Sequence, residues 1–218
     1  MKGLLGRVGL AALLLASLGS AGCVAQRDVA GAVLDPEFRW NRSGFSVLAP
    51  EGSTWNRVAG NNPGGIAFVR GEGLYYAEVA PRNAVYVKGE NAFAVAIHLK
   101  PAITARTDQE RATQALQQNL ERYLAKLHQK ATRTRYDRDL GLDCLKYQAV
   151  STEKRLSTEK GELHLGGIYG YLCVHPEADD FGVIMQCNNF GTVWTDIEEK
   201  KSHWRFFSSL RFLPRGER

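Results

Sequence analysis

The sequence predicts an α+β domain: an antiparallel sheet with one long helix packed on one face and a short helix near the C-terminus. Three observations carry this. Residues 108–129 hold apolar side chains at helical spacing with no Gly or Pro inside. Segments rich in Val, Ile, Leu, Phe and Tyr lie on both sides of that stretch, as half-buried strands do. Gly, Pro and Asn punctuate those segments where turns are required.

The elements follow in chain order. Lys2 and Arg7 precede an apolar run from Val8 to Leu18, broken only by Gly9 and Ser17, and the small residues Gly19, Ser20, Ala21 and Gly22 follow. This is the order of a secretory signal over residues 1–22. The run of about 11 residues falls short of the roughly 20 that a membrane-crossing helix needs. The stretch Ser20-Ala21-Gly22-Cys23 resembles a bacterial lipobox, with Ala21 and Gly22 matching and Ser20 standing where Leu is usual. That resemblance implies a diacylglycerol thioether and an amide-linked acyl chain on Cys23. Two or more chains anchor a protein stably to a bilayer, whereas one is marginal. The alternative is an ordinary signal cut near Ala21 or Ala25. The chain is therefore expected in the bacterial cell envelope, lipid-anchored to a membrane and facing the periplasm or exterior. Residues 23–37 read as a tether, 38–213 as a single α+β domain and 214–218 as a charged tail.

Within the domain, residues 38–50 (FRWNRSGFSVLAP) alternate around Phe45 and Val47 and predict a first strand ending at Pro50. Residues 59–65 are a loop by turn chemistry, and 66–69, 75–79 and 92–99 are further strands. Thr107 is the expected N-cap of the long helix, and Glu110 completes a capping box. Ala112, Leu116, Leu120, Tyr123, Leu124 and Leu127 form its apolar stripe. Strands are expected at 142–153, 162–175 and 181–189, the first two joined through a polar hairpin loop. A second helix starts after Thr195, capped with Glu198, with Ile197, Trp204 and Phe207 on its apolar side. Residues 210–212 form an edge strand.

Composition bounds the function. About 196 mature residues with 44% apolar and 10% aromatic content over the whole chain fill one ordinary core. The net charge of +5 falls to about +3 without the signal, too little for a nucleic-acid partner. Cys144, Cys173 and Cys187 would meet an oxidising compartment, so a disulfide is expected. Placing Cys144 opposite Cys173 centres a hairpin between Thr158 and Glu159, inside the polar STEK stretch. Opposed Cα atoms on antiparallel strands then lie within disulfide range. Cys173–Cys187 is the competing pair. It centres on Asp180, while the HPEADD turn centres near Ala178.

The segment Gly44-Phe45-Ser46-Val47-Leu48-Ala49-Pro50 and the terminal Phe206-Phe207-Ser208-Ser209-Leu210-Arg211-Phe212, with the mid-chain helix and the strands after it, resemble the PsbP-like (DcrB-like) family, which includes bacterial lipoproteins. The resemblance spans roughly 38–213 and implies an α-β-α sandwich around an antiparallel sheet. It implies no common active site, since members mostly act as binding or assembly factors.

No motif assembles chemistry. There is no G-x-S-x-G elbow, no HExxH, no phosphate-binding loop and no zinc-like cysteine spacing. Cys173 and His175 share a strand face, but a disulfide half or core residue is the plainer reading. The run from His175 to Asp180 gathers one His and three acids in a turn, read as solvated rather than cation-binding. No catalytic residue, metal ligand or cofactor is expected. Arg111, Arg122 and Lys126 fall on one flank of the long helix, and Lys130, Arg133, Arg135 and Arg138 continue beyond it. These are candidate contacts to anionic lipid or an acidic partner. The expected function is a non-catalytic binding or assembly role at the membrane surface, with the bilayer and an envelope protein as partners. An envelope hydrolase or cation-binding enzyme is the rival.

Overall fold

The computed structural model describes residues 31–52, 54–58, 64–76, 85–104, 107–152, 155–158, 161–191 and 201–214. The signal, Cys23 and the Thr195–Glu198 cap lie outside these residues. In chain order the elements are β1 (Gly31–Ala32), β2 (Trp40–Arg42), β3 (Phe45–Val47), β4 (Asn56–Val58), β5 (Gly65–Tyr76), β6 (Val85–His98), α1 (Gln109–Lys126), β7 (Gln129–Asp137), β8 (Cys144–Ser151), β9 (Arg155–Thr158), β10 (Gly161–His175), β11 (Ala178–Gly191), α2 (Lys201–Ser208) and β12 (Arg211–Phe212).

Nine strands form one antiparallel sheet in the order β1-β4-β5-β6-β11-β10-β8-β7, with β9 also paired to β10. A three-stranded sheet, β12-β3-β2, stands apart. The α+β class and the antiparallel sheet are as the sequence predicts. The central strands alternate between two buried layers, which is why they read as almost continuous apolar runs. Tyr169, Tyr171 and Cys173 of β10 and Val183, Met185 and Cys187 of β11 enter one cluster with Phe45 and Val47 of β3 and Phe206 and Phe207 of α2. Ile168, Leu172 and Val174 of β10 and Ile184 of β11 enter another, with Ala112, Leu116, Leu120 and Leu124 of α1. Each such leucine contributes about 1.5–3 kcal/mol by leaving water.

The helix starts one residue later than the capping pattern suggests. Asp108, not Thr107, is the N-cap, and its side chain accepts from the Arg111 N–H. Its end is earlier than Gln129: Leu127 is the C-cap and Gln129 already belongs to β7. Asn119, on the buried side of α1, ties the helix to the chain leaving β6. Its Oδ1 accepts the Lys100 N–H at 2.7 Å, and its Nδ2 donates to the Pro101 carbonyl at 3.0 Å.

Several expectations need correction. Residues 38–50 do not form a single strand: β2 and β3 are a hairpin, with Gly44 at φ +82° where a side chain would strike the Phe181 ring. Residues 129–137, read only as the end of the helix and a basic segment just beyond it, are a full strand paired with β8. Packing beside β8 outweighs the weak local strand signal of QKATRTRYD. Trp204 is 41% exposed, while His203, Phe206 and Phe207 face the core. Within the segment expected to be a tether, β1 pairs with β4 and Val33 packs on the core.

Cys144 opposes Cys173 across β8 and β10, and the two form a disulfide with Cα atoms 4.1 Å apart. Cys187 instead opposes Tyr169, out of register with Cys173. The hairpin turn sits one position later than expected, because Thr158 pairs with Gly161. On the other face of the same ladder, Tyr147 of β8, Gly170 of β10 and Gln186 of β11 lie in one row. Gly170 has no side chain, so the Tyr147 ring crosses it and its hydroxyl donates to Gln186 Oε1 at 3.0 Å. Burial pushes the Tyr147 phenol well above its ordinary value, so it remains a neutral donor.

Candidate functional site

The three basic residues singled out on the helix share a flank but not a patch. Arg111 and Lys126 are 15 positions apart, about 22 Å along the axis. Arg111 pairs with Asp108 in the first turn at 3.2 Å. Arg122 is partly committed to the fold: its Nη2 donates to Asn119 Oδ1 at 2.8 Å and its Nε to the Gln118 carbonyl. It also lines a shallow cleft of about 470 Å³ with Lys100, Pro101, Gln118, Glu121 and Ala125. Lys126 is exposed in the last turn, where a cation complements the helix dipole.

A second basic group lies on β7. Ala131 and Tyr136 pack toward the α1 cluster. Lys130, Arg133 and Arg135 are exposed on the opposite side of the strand, beside Lys146 of β8. Arg135 is engaged, with Nη2 2.6 Å from Asp137 Oδ2 and 3.6 Å from Asp139 Oδ2. The Asp137 hydrogen bond and charge hold its guanidinium more firmly protonated than usual. Burial works against the charged form of Asp137, whose side chain is 1% exposed. The Asp139 N–H and the Arg135 guanidinium outweigh that penalty and keep its carboxyl below the ordinary range. At the same end, Tyr136 Oη and Arg138 Nε both donate to Asp143 Oδ1, at 2.6 and 2.8 Å. Arg138 and Asp143 line a cleft of about 310 Å³ with Gly141, Leu142, Val174 and Pro176.

The most chemically suggestive cluster was not legible as a motif. The Tyr169 hydroxyl meets His203 Nδ1, and His203 Nε2 lies 3.0 Å from Glu90 Oε2. Arg70 Nη2 donates to the same carboxylate oxygen at 2.6 Å, and its guanidinium lies 4.8 Å from the Trp55 ring centroid. Hydroxyl, imidazole and carboxylate thus stand in the order used to activate a nucleophile. The arrangement is packed, not open: His203 and Tyr169 are 0% and 3% exposed, with Phe207 against Tyr169 and Trp55 against His203. Its members come from β5, β6, β10 and α2, so no local spacing announces them.

The His175–Asp180 segment is not a solvated turn throughout. His175 is buried: its Nδ1 accepts the Glu177 N–H at 3.0 Å, leaving Nε2 to donate to the Leu213 carbonyl at 3.1 Å. The Asp179 and Asp180 carbonyls accept from Ile103 and Leu99. His175 therefore staples the C-terminal strand to the β10–β11 turn, and its neighbour two positions back, Cys173, is spent in the disulfide.

No family model matches the chain, and no curated protein does. Among solved structures, the fold is similar to that of a point mutant of the protein Mog1, at 10% identity and TM-score 0.45 over 82% of this chain and 97% of that one. It is also similar to the Ran-binding protein Mog1p of Saccharomyces cerevisiae, at 12% identity and TM-score 0.37 over 67% of this chain and 71% of that one.

Proposed function

We propose that this chain is a lipid-anchored protein of the bacterial cell envelope whose domain, a PsbP-like sandwich with α1 covering one sheet face, binds a partner at the membrane surface without catalysing a reaction. The observation that carries the reading is a set of exposed apolar side chains where the chain enters the domain. Leu34, Phe38 and Trp204 are 90%, 51% and 41% exposed. Arg205, next to Trp204, donates to the Pro36 carbonyl and to Glu37 Oε1, both at 2.7 Å, and so ties α2 to this entry segment. Tryptophan and phenylalanine with one wet side suit a bilayer interface. Gly31 follows Cys23 by eight positions, a span of at most about 28 Å. Lipid on Cys23 would therefore hold these side chains near the membrane. The two stretches that resemble the PsbP-like family support the sandwich reading, because they meet as partners in β3 and β12, with Phe45 opposite Phe212.

Metabolic labelling with a clickable fatty acid tests the anchor. Wild type is expected to carry label and Cys23→Ala to carry none; equal labelling of both refutes it. One observation favours the rival enzyme reading, namely the Tyr169–His203–Glu90 order. Ester or glycoside turnover by the wild type that Tyr169→Phe abolishes would move the assignment to a hydrolase.

A further inference from the structure

We propose that the outer edge of β7 takes up an extended, acidic segment of a partner protein by strand addition. The strand order ends at β7, and among the described residues no other strand pairs with its outer side. Alternate N–H and C=O groups of an edge strand point away from its neighbour and can template another chain. The ladder to β8 has one irregularity, between Ala131 and Arg133, which sets Thr132 as an extra residue. Beyond it, Arg133 to Asp137 pair regularly, a run about as long as a common strand.

Charge selects the occupant. Lys130 and Arg133 are exposed on β7 and make no ion pair in the described structure, whereas Arg135 is already held by Asp137 and Asp139. The one acid inside the strand, Asp137, is buried. An incoming strand would set every second side chain beside this basic side, where opposite charges across strands attract and like charges repel. A second copy of the chain is disfavoured, because pairing two β7 edges would bring Lys130 and Arg133 against their own counterparts. The bilayer is disfavoured by position. The strand that follows Cys23 in the chain is β1, at the far end of the strand order, seven strand spacings or roughly 34 Å from β7 along the sheet. An anchor that holds β1 near the membrane displays β7 away from it. This last argument rests on the lipid-anchor reading; the free edge and its charge do not.

The test uses the full chain in solution and a synthetic peptide of about ten residues alternating Glu and Val, followed by amide NMR. The acidic peptide should shift the Arg133–Asp137 amides, and a Lys–Val peptide should not. N-methylation of alternate peptide residues in one register should weaken binding at least tenfold, and in the other register should leave it nearly unchanged. Lys130→Glu with Arg133→Glu should reverse the preference to the Lys–Val peptide, which a misfolded variant could not do. Absence of binding, equal binding of both peptides, or indifference to N-methylation in either register would overturn strand addition. Binding to phosphatidylglycerol vesicles that shifts the same amides, with no peptide binding, would assign the surface to lipid instead and also overturn it. Fatty-acid labelling at Cys23 is read separately, so failure of the peptide titration leaves the anchor standing, and the reverse.

Discussion

Replacing Asn119 by Ala should loosen the join between α1 and the β6–α1 connection at a measurable cost. Asn119 uses its whole hydrogen-bonding capacity. Oδ1 accepts from the Lys100 N–H at 2.7 Å and Arg122 Nη2 at 2.8 Å, and Nδ2 donates to the Pro101 and Ala115 carbonyls at 3.0 and 2.8 Å. In the alanine variant the Ala115 carbonyl retains its helical partner and Arg122 can turn to water. The Lys100 N–H and the Pro101 carbonyl lose partners inside the fold. At roughly 1–1.5 kcal/mol for each, the loss is about 2–3 kcal/mol. Alanine is the better helix former by up to about 0.7 kcal/mol, which leaves a net destabilisation of about 1.5–2.5 kcal/mol. Urea unfolding followed by circular dichroism measures this directly, and the melting temperature should fall by about 3–10 °C for a domain of this size. Asn119→Asp is the informative companion. It keeps the acceptor for Lys100 and Arg122 but aims a carboxylate at two carbonyls, so it should be at least as destabilising as alanine. A change below about 0.5 kcal/mol in the alanine variant would show that the amide is not what fastens this connection.

The disulfide should map to one linked peptide pair containing Cys144 and Cys173, and a linked peptide containing Cys187 would contradict the fold. Its 29-residue separation predicts about 3.5 kcal/mol lost in a Cys144→Ala/Cys173→Ala variant, read by denaturant unfolding. Gly170→Ala would drive a methyl into the Met185 carbonyl oxygen of β11 and place it 2.8 Å from the Tyr147 oxygen, so that the β10–β11 backbone must shift and the ring leave Gln186, a cost of at least about 2–4 kcal/mol. Tyr147→Phe loses only the hydrogen bond and should cost less. Asp137→Asn should destabilise at neutral pH by about 1–3 kcal/mol through lost charge-assisted bonds. The Asp137 carboxyl titrates below its unfolded value, so its stabilisation is full above about pH 4 and is lost as the pH falls through the folded value. Wild type and variant should therefore converge in acid, and a gap that persists below about pH 2 would refute the electrostatic account.

The elements that could be read from the chain are those whose signal is local. The α1 stripe repeats every three to four residues, so Leu116, Leu120 and Leu124 announced a buried face before any neighbour was known. The Cys144–Cys173 pair was legible because antiparallel pairing around a turn in the polar STEK stretch brings the two together, but the pairing with β10 shifts by two residues between β9 and β8, so the ladder and not the turn alone sets the final register. β7 was missed for the complementary reason. Its residues have little strand preference of their own, and only the β8 ladder and the α1 layer make that segment extended. The same holds for the candidate sites. Arg111, Arg122 and Lys126 share a helix flank by sequence arithmetic, and inside the helix Arg122 binds Asn119 and Arg111 pairs with Asp108, whereas only tertiary packing put Lys130 and Arg133 on an edge strand. Tyr169, His203, Glu90 and Arg70 meet from four elements. Periodicity and turn chemistry reach only a few residues along the chain, whereas such a meeting depends on strand order and on which side of the sheet α2 covers.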